Sequence, residues 1–233
     1  MPTEFRKSKI KILKSTIRNP DVLLYEKEAW SSGFLRLAGI DEAGRGPLAG
    51  PVVAAAVIFD PEYLRAELIP TFGRLTDSKA MPEKLREEYF ELLTESKFTT
   101  IGIGIIEPEE IDLINILKAT HKAMALAASQ INPQFALVDG LPVKGLPCDS
   151  RSIVKGDALS ISISAASIIA KVTRDRIMVE LDSQYPEYGF AQHKGYGTRQ
   201  HLEALKNHGA TPAHRKTFRP VAELDQLDLL FQK

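Results

Sequence analysis

The sequence predicts an α/β fold in which helices flank a mixed β-sheet, and two observations support that prediction. Strand-like segments come first and cluster, as short runs of β-branched and small apolar residues bounded by glycine-rich or polar turns. Further along the chain, short apolar strands alternate with long helical patterns. This order of elements is typical of a mixed sheet covered by helices.

Hydrophobic periodicity and chain breakers define the individual elements. Glycine alternates with isoleucine between residues 101 and 105, so one face of that strand is bare and a neighbour can pack very close to it. The segment 160–164 alternates like a strand, but the unbroken pattern after it favours a single long helix. A loop is expected over 72–79 and another over 188–197. Strands are expected at 37–40, 51–59, 98–106, 135–140 and 152–154, and helices at 61–69, 82–96, 108–117, 118–130, 159–185 and 198–207.

Three regions are expected along the chain. Residues 1–33 form an N-terminal helical extension with a basic start and a short helix from Asp21 to Trp30. We interpret it as packed on the core, with a nucleic-acid-binding arm as the alternative. Residues 34–220 form the main domain. Residues 221–233 form a C-terminal tail with a weak amphipathic helix.

The composition is that of an ordinary globular domain. The 233 residues are 44% hydrophobic, and 30 basic residues balance 30 acidic ones. Zero net charge counts against non-specific nucleic-acid binding by bulk charge. Residues 141–220 nevertheless carry 12 Lys and Arg against 7 Asp and Glu, an excess that also fits a solvated face.

Cysteine content and hydropathy indicate the compartment. Cys148 is the only cysteine, which excludes an internal disulfide and a cysteine metal cluster. The basic N-terminus lacks the apolar run of a signal peptide. The longest apolar run, 52–59, is too short to span a bilayer. We therefore expect a soluble cytoplasmic protein, and a monomer because the sequence has no coiled coil or repeated apolar face.

The most informative segment is the polar turn between the first two strands. Asp41 and Glu42 are adjacent there, and Gly44-Arg45-Gly46 follows. Adjacent charges between buried strands are costly unless a divalent cation such as Mg²⁺ or Mn²⁺ compensates them. Adjacent strand residues point to opposite faces, so a shared site requires the strand to end or kink at Glu42. The glycines allow close approach of a ligand, and Arg45 could bind phosphate or sugar oxygens.

Two further carboxylates follow other strands. Asp139 closes a buried strand, and Asp157 lies between a glycine and a helix start. Alone, Asp139 is explained by an Asp-Gly turn and Asp157 by a helix cap. With Asp41 and Glu42, they suggest a two-metal site for phosphoryl transfer to water.

Other catalytic templates do not match the sequence. The glycine-rich turn lacks Gly-Lys-Ser/Thr and the GxGxxG spacing, which excludes a P-loop and a dinucleotide fingerprint. No G-x-S-x-G nucleophile elbow is present. The five histidines, at 121, 193, 201, 208 and 214, have no zinc-ligand spacing.

Six motifs, together covering about residues 34–220, resemble bacterial ribonuclease HII, a family with the ribonuclease H-like fold. The resemblance implies that this region is a catalytic domain that hydrolyses the RNA strand of RNA–DNA hybrids. It also implies cleavage at single ribonucleotides in duplex DNA, leaving 5′-phosphate and 3′-hydroxyl ends. The motifs are Ala38 to Leu48, Asp77 to Lys79, Leu137 to Gly140, Lys155 to Asp157, Ile163 to Asp175 and Tyr188 to Tyr196.

The resemblance also implies roles for individual residues. Asp41, Glu42 and Asp139 match the core metal ligands, and Asp157 matches the fourth acidic residue. The segment Gly44, Arg45, Gly46 matches the one that recognises the 2′-hydroxyl at the RNA-to-DNA junction. Tyr196 matches the tyrosine that stacks on the next sugar, although its residue type also fits a core position.

Basic residues in the same motifs are candidates for phosphate contacts, which position a substrate without specifying its sequence. Each of them alone also fits a solvated surface charge. The candidates are Lys79, Lys155, Lys171, Arg174 and Lys194.

Three alternative functions differ from a ribonuclease HII-like activity in a sequence feature or in the substrate used. Ribonuclease HIII prefers longer RNA runs and usually carries an extra N-terminal domain, for which about 33 residues are too few. A binding module without catalysis requires a missing carboxylate, and none is missing. A small-molecule phosphohydrolase would differ from a nuclease because hybrid duplex would not compete with its substrate.

Overall fold

The computed structural model describes residues 21–67, 71–72, 75, 78 and 81–224. A five-stranded sheet with the order β3-β2-β1-β4-β5 lies at its centre. The pairs β1–β2 and β2–β3 are antiparallel, and β1–β4 and β4–β5 are parallel, which confirms the predicted mixed sheet. The strands are β1 (Leu37–Ala43), β2 (Val52–Phe59), β3 (Thr99–Ile106), β4 (Phe135–Asp139) and β5 (Asp149–Ile153).

Helices cover both faces of this sheet. A short 3₁₀ turn, Gly156–Ala158, precedes the longest helix, and residues 219–224 are also helical. Within the described part of the chain, no helix has the length and apolar character needed to cross a membrane. The helices are α1 (Leu24–Ser31), α2 (Pro61–Glu67), α3 (Glu83–Glu95), α4 (Pro108–Ile114), α5 (Ile116–Ile131), α6 (Ile161–Gln184), α7 (Phe190–His193) and α8 (Arg199–His208).

The core consists of two layers, one on each side of the sheet. On one side, Leu37, Val57 and Leu137 pack against α6. On the other side, Ile40 and Val138 pack against α5. All eight residues of β2 are buried, because a central strand covered on both faces needs apolar side chains throughout.

The bare face of β3 is covered by α5. A Cβ on Gly102 would overlap the carbonyl oxygen of Ala127, and one on Gly104 would overlap that of Ala123. The Gln130 side chain also bonds Ile103, donating to its carbonyl at 2.6 Å and accepting from its N–H at 3.1 Å. The expected close approach is therefore confirmed, and its partner is the backbone of a helix.

Several element boundaries differ from prediction. The two helices after β3 meet at Asn115, because this residue adopts φ 69° and its side chain accepts the N–H of Lys118. Strand β5 begins at Asp149, where exposed polar residues at the sheet edge give no apolar signal. The predicted loop 188–197 contains the short helix α7.

The N-terminal helix α1 packs on the core. Leu23, Ala29 and Trp30 are buried, and the fully buried Glu26 carboxylate accepts bonds from the Ser160 hydroxyl at 2.6 Å and the Ser162 N–H at 3.0 Å. Burial raises the pKa of Glu26. The predicted basic start at 1–20 and the tail from 225 lie outside the described residues.

Candidate active site

Two of the predicted carboxylates meet at one edge of the sheet. The parallel strands β1 and β4 pair as far as Ile40 and Val138, so Asp41 and Asp139 follow side by side. One Asp139 oxygen, Oδ1, accepts the N–H of Gly156 at 2.6 Å. This bond attaches the turn that carries Asp157 to the same edge.

Asp41 is buried among like charges. Only 6% of it is exposed. Burial and the negative charges of Glu42 and Asp139 raise the pKa of Asp41 well above its usual value, while a hydrogen bond from Ser167 opposes that rise. Ser167 in turn lies 2.8 Å from the hydroxyl of Ser78. The edge thus concentrates negative charge that a cation would compensate.

The predicted end or kink of the strand at Glu42 is wrong. Pairing with β2 continues through Glu42 opposite Ala54, because the antiparallel ladder satisfies the backbone there. Alternation therefore starts Asp41 and Glu42 on opposite faces of β1, but the strand ends at the next residue, Ala43, and the Glu42 charge still acts on Asp41 there. On its side, Glu42 Oε1 lies 3.2 Å from Nη1 of Arg45.

The four carboxylates surround the edge without converging on one point. Among the described residues, no three His, Cys, Asp or Glu side chains form a ready metal-binding group. The donor set nevertheless suits a hard divalent cation, because it consists only of carboxylate oxygens. The charge repulsion at Asp41 fits the same kind of ion.

A cleft of about 720 Å³ opens beside this edge. Its lining includes Glu42, the Gly44-Arg45-Gly46 turn, Lys171 and Tyr196. A Cβ built on Gly46 would lie 3.7 Å from Cε1 of Tyr196, whose side chain is 47% exposed. The residues expected to recognise a ribonucleotide therefore lie together, next to one of the carboxylates.

The predicted lysines are placed differently from one another. Lys171 lines the cleft with Nζ 2.7 Å from Asp175 Oδ1, and burial lowers its pKa. Lys155 is exposed in the turn before Asp157. The Lys194 ammonium donates to the Ala191 carbonyl at 2.6 Å and does not line the cleft. Lys79 lies outside the described residues.

Arg174, a candidate for phosphate contact or a solvated surface charge, lines the cleft, but it is buried and its guanidinium is bonded within the protein. It is 1% exposed and donates to the carbonyl oxygens of Pro51 at 3.0 Å, Lys194 at 2.9 Å and Ala49 at 3.1 Å. Gly44 leaves the room it needs, since a Cβ there would overlap the guanidinium. Arg174 thus joins the turn after β1 to the loop that carries Tyr196.

Sequence reasoning missed a second buried arginine, Arg215. It is completely buried and donates to the carbonyl oxygens of Gly44 at 2.6 Å, Arg45 at 3.0 Å and Gly50 at 2.8 Å. Because a charged side chain in a loop is usually exposed, its residue type gives no sign of this role.

Arg86 was also missed. It lines the cleft and donates to the carbonyl oxygens of Ser78 at 2.6 Å and Met81 at 2.8 Å. It therefore fixes the loop whose serine reaches Ser167.

Comparison with known proteins identifies the relatives of this chain. A family model described as Ribonuclease HII matches residues 38–221. The chain is 50% identical to the ribonuclease HII of Acetivibrio thermocellus over 217 residues, covering 92% of this chain and 82% of that one. It is 52% identical to the ribonuclease HII of Acholeplasma laidlawii over 206 residues, covering 88% and 97%. The crystal structure of ribonuclease H2 from Pyrococcus horikoshii superposes with a TM-score of 0.69 at 28% identity, covering 82% of this chain and 97% of that one.

Proposed function

From the premise that the chain belongs to the ribonuclease HII family, we propose how its cleft carries out the family's reaction. The chain is an endoribonuclease that hydrolyses phosphodiester bonds of RNA in RNA–DNA hybrids, and it depends on a divalent metal ion.

Asp41, Glu42, Asp139 and Asp157 are the proposed holders of two Mg²⁺ or Mn²⁺ ions. When bound, such ions activate water and stabilise the charge on the leaving oxygen. The repulsion among buried carboxylates at Asp41 supports this assignment. In the reaction, water oxygen bonds to phosphorus, the bond from phosphorus to the 3′-oxygen breaks, and that oxygen leaves as a 3′-hydroxyl.

The protein's own groups hold the catalytic carboxylates in place. The Ser167 hydroxyl donates to Asp41, and the backbone N–H of Gly156 donates to Asp139 at 2.6 Å. Lys171 lines the cleft and is a candidate to meet substrate phosphate, and Lys155, Lys79 and Lys194 are further candidates.

The Gly44-Arg45-Gly46 turn and Tyr196 are the proposed readers of the ribonucleotide. A 2′-hydroxyl is the local feature that separates RNA from DNA, and backbone groups at the glycines can approach it closely. Tyr196 offers an exposed ring for the following sugar. We therefore propose cleavage on the 5′ side of single ribonucleotides in duplex DNA, as well as of longer hybrids.

One observation carries the proposal: a single cleft joins the carboxylate edge, through Glu42, to the facing pair Gly46 and Tyr196. This is the arrangement needed to recognise a ribonucleotide and cut beside it. A small-molecule phosphohydrolase would not need Gly46 and Tyr196 beside its carboxylates.

The test uses a labelled duplex with one ribonucleotide, incubated with Mg²⁺ or Mn²⁺ and again with EDTA. We expect a single cut 5′ of the ribonucleotide that EDTA abolishes. Failure to cut there, with cleavage of a long hybrid, would favour the ribonuclease HIII-like alternative. Failure to cut either substrate would favour a binding module or a phosphohydrolase.

A pair of arginine variants tests recognition. Arg45→Ala should lower cleavage at the lone ribonucleotide more than it lowers metal binding. Arg199→Ala is the matched control, because that arginine is also paired with a glutamate, Glu203, but lies on the surface of α8. Equal losses of cleavage and metal binding in Arg45→Ala would contradict the recognition role.

A further inference from the structure

We propose that three buried histidines, His193, His201 and His214, position Tyr196 through a directed chain of hydrogen bonds. The inference rests on the recognition role proposed for Tyr196, and it names residues that act through Tyr196 without touching the substrate. His201 is 0% exposed, His214 1% and His193 9%, and the reaction described above uses none of them.

The chain begins at a backbone donor. The N–H of Thr211 lies 3.0 Å from Nδ1 of His214. Nε2 of His214 lies 3.0 Å from Nε2 of His201, and Nδ1 of His201 lies 2.9 Å from the carbonyl oxygen of Tyr196. Four residues are thus joined in one line that ends on the backbone of the recognition tyrosine.

The two ends fix the direction of every bond between them. A backbone N–H can only donate, so Nδ1 of His214 accepts and its proton is on Nε2. A carbonyl can only accept, so Nδ1 of His201 carries the proton and its Nε2 accepts. The Thr211 hydroxyl, 2.9 Å from Nδ1 of His214, can donate to the same nitrogen, so both ends agree on one pair of neutral tautomers.

His193 forms a second branch beside the first. Its Nδ1 accepts the N–H of Gly195 at 3.2 Å, and its Nε2 donates to the Tyr188 carbonyl at 2.7 Å. Its ring stacks on His201 with centroids 4.6 Å apart. The two branches therefore hold the backbone at Tyr196 and at the residue before it, while the Tyr196 ring stays half exposed.

The same scaffold reaches the Gly44-Arg45-Gly46 turn. Arg215 follows His214 directly and donates to the carbonyls of Gly44 and Arg45, and the N–H of Leu48 donates to Gly195 at 2.8 Å. Loss of the histidine chain should thus disturb the spacing between the two proposed readers of the ribonucleotide.

The chain works only while its histidines are neutral. A second proton on Nε2 of His201 would face the Nε2–H of His214 across 3.0 Å, and one on Nδ1 of His214 would face the N–H of Thr211 across 3.0 Å. Burial and the neighbouring imidazole lower the pKa of His214 to about 4, and burial lowers that of His201. At neutral pH the chain is therefore complete.

Two substitutions at His201 separate the proposal from a general packing role. In His201→Asn the amide nitrogen takes the place of Nδ1 and still donates to Tyr196. In His201→Gln the amide lies near the former Nε2 and leaves the Tyr196 carbonyl without that donor. Tyr196→Ala is the reference for complete loss of the recognition ring.

The readout is KM and kcat on a lone ribonucleotide in duplex DNA and on a continuous RNA–DNA hybrid, with thermal unfolding of each variant. We expect His201→Gln to raise KM for the lone ribonucleotide by about tenfold relative to the continuous hybrid, because the loss of one buried hydrogen bond is of that size. His201→Asn should retain most of the parent's preference.

Two outcomes overturn the proposal. If Tyr196→Ala loses the preference while both His201 variants keep it, or lose it equally, the chain does not position Tyr196. If Tyr196→Ala keeps the preference, the recognition role itself is wrong, and the positioning role falls with it.

Long-range ¹H–¹⁵N spectra of the parent protein provide a test that needs no variant. We expect the proton of His201 on Nδ1 and those of His193 and His214 on Nε2. A proton on Nε2 of His201 would overturn the proposal even if every variant failed to fold.

Discussion

Two neighbouring regions, the carboxylate edge at Asp41 and Asp139 and the loops around Gly44 and Tyr196 that we propose as recognition loops, are stabilised in opposite ways. At the edge, β1 and β4 bring Asp41 and Asp139 together, and their charges repel. In the loops around Gly44 and Tyr196, buried arginine and histidine donors satisfy one carbonyl after another. Charge repulsion at the edge destabilises the folded protein, whereas hydrogen bonds within the protein stabilise the loops.

This difference indicates what each region needs from outside. A site of mutually repelling carboxylates becomes stable only with a cation, so its final geometry depends on the ligand. Loops whose backbone is already satisfied hold their shape before substrate arrives, which lowers the entropy cost of recognition. Variants in each region can therefore test whether repulsion destabilises the edge and whether internal hydrogen bonds stabilise the loops.

The largest effect is expected at the edge. Asp41→Asn should lower metal-dependent cleavage by at least about a thousandfold, because a proposed metal ligand is lost. The metal-free variant should unfold at a higher temperature than the parent, since a buried repelling charge is removed. Cleavage assays and thermal unfolding without metal measure the two effects.

Asp149→Asn is the matched control, because Asp149 is an exposed carboxylate on β5. It should leave both quantities unchanged. Full cleavage by Asp41→Asn would contradict the role of Asp41 as a metal ligand. An unfolding temperature below that of the metal-free parent would show that the Asp41 charge does not destabilise the fold.

The next largest effect is expected in the loops. Arg215→Met should lower the free energy of unfolding by about 3 kcal/mol, because the carbonyls of Gly44, Arg45 and Gly50 lose a buried donor. Denaturant titration measures it. Arg219→Met is the control, since that side chain is 90% exposed and is paired with Glu223 on the surface. Equal losses of unfolding free energy in the two variants would show that the hydrogen bonds of Arg215 do not stabilise the loops.

The third effect is a pH dependence of stability. The pKa of His214 is lowered to about 4 by burial, so between about pH 6.5 and 4 the unfolded chain binds a proton that the folded chain does not. The free energy of unfolding should therefore fall as pH decreases through this range, by about 2 kcal/mol for this residue. The lowered pKa of His201 acts in the same direction.

Denaturant titrations at several pH values measure this dependence. His214→Gln should flatten it, whereas His208→Gln, at the end of α8, should preserve the slope of the parent. An identical slope in His214→Gln would show that the histidine chain is not kept neutral by folding.

The smallest effect is expected for an exposed cation. Lys155→Ala should raise KM only about twofold to threefold and lower the slope of log KM against log salt by about one, as for a single phosphate contact. Lys97→Ala, beside Phe98 at the start of β3, is the control. A salt slope unchanged by Lys155→Ala would return that lysine to the class of solvated surface charges.

Much of the fold was predictable because its signals are local. The run of β2, the alternating glycines of β3 and the unbroken pattern of α6 each define an element without knowledge of its neighbours. The approach of Asp41 to Asp139 follows from strand ends alone. The edge strand β5 is polar and exposed at its start and has no such pattern, so the sequence predicts its first residue too far along the chain.

The support of the recognition loops could not be predicted in the same way. Whether Arg174 meets solvent or carbonyls depends on loops that lie more than 100 residues away in sequence. The same holds for Arg215. His201 and His214 are only 13 residues apart, but their contact depends on how the loop after α8 folds back, which no local pattern indicates. The continuation of β1 past Glu42 was also missed, because the ladder with β2 outweighs the glycines that follow.

Helix α6 has a consequence for the accuracy of cutting. Ser167 on this helix contacts Asp41, and Arg174, seven residues later, binds the loops that we propose to recognise the ribonucleotide. An α-helix fixes that separation at roughly 10 Å, so α6 sets the distance between the carboxylate edge near Ser167 and the loops bound by Arg174. An extra residue inserted between them would rotate one end by about 100° relative to the other. This span should therefore be among the least tolerant of insertion in the whole chain, whereas the exposed loop 141–147 should accept added length.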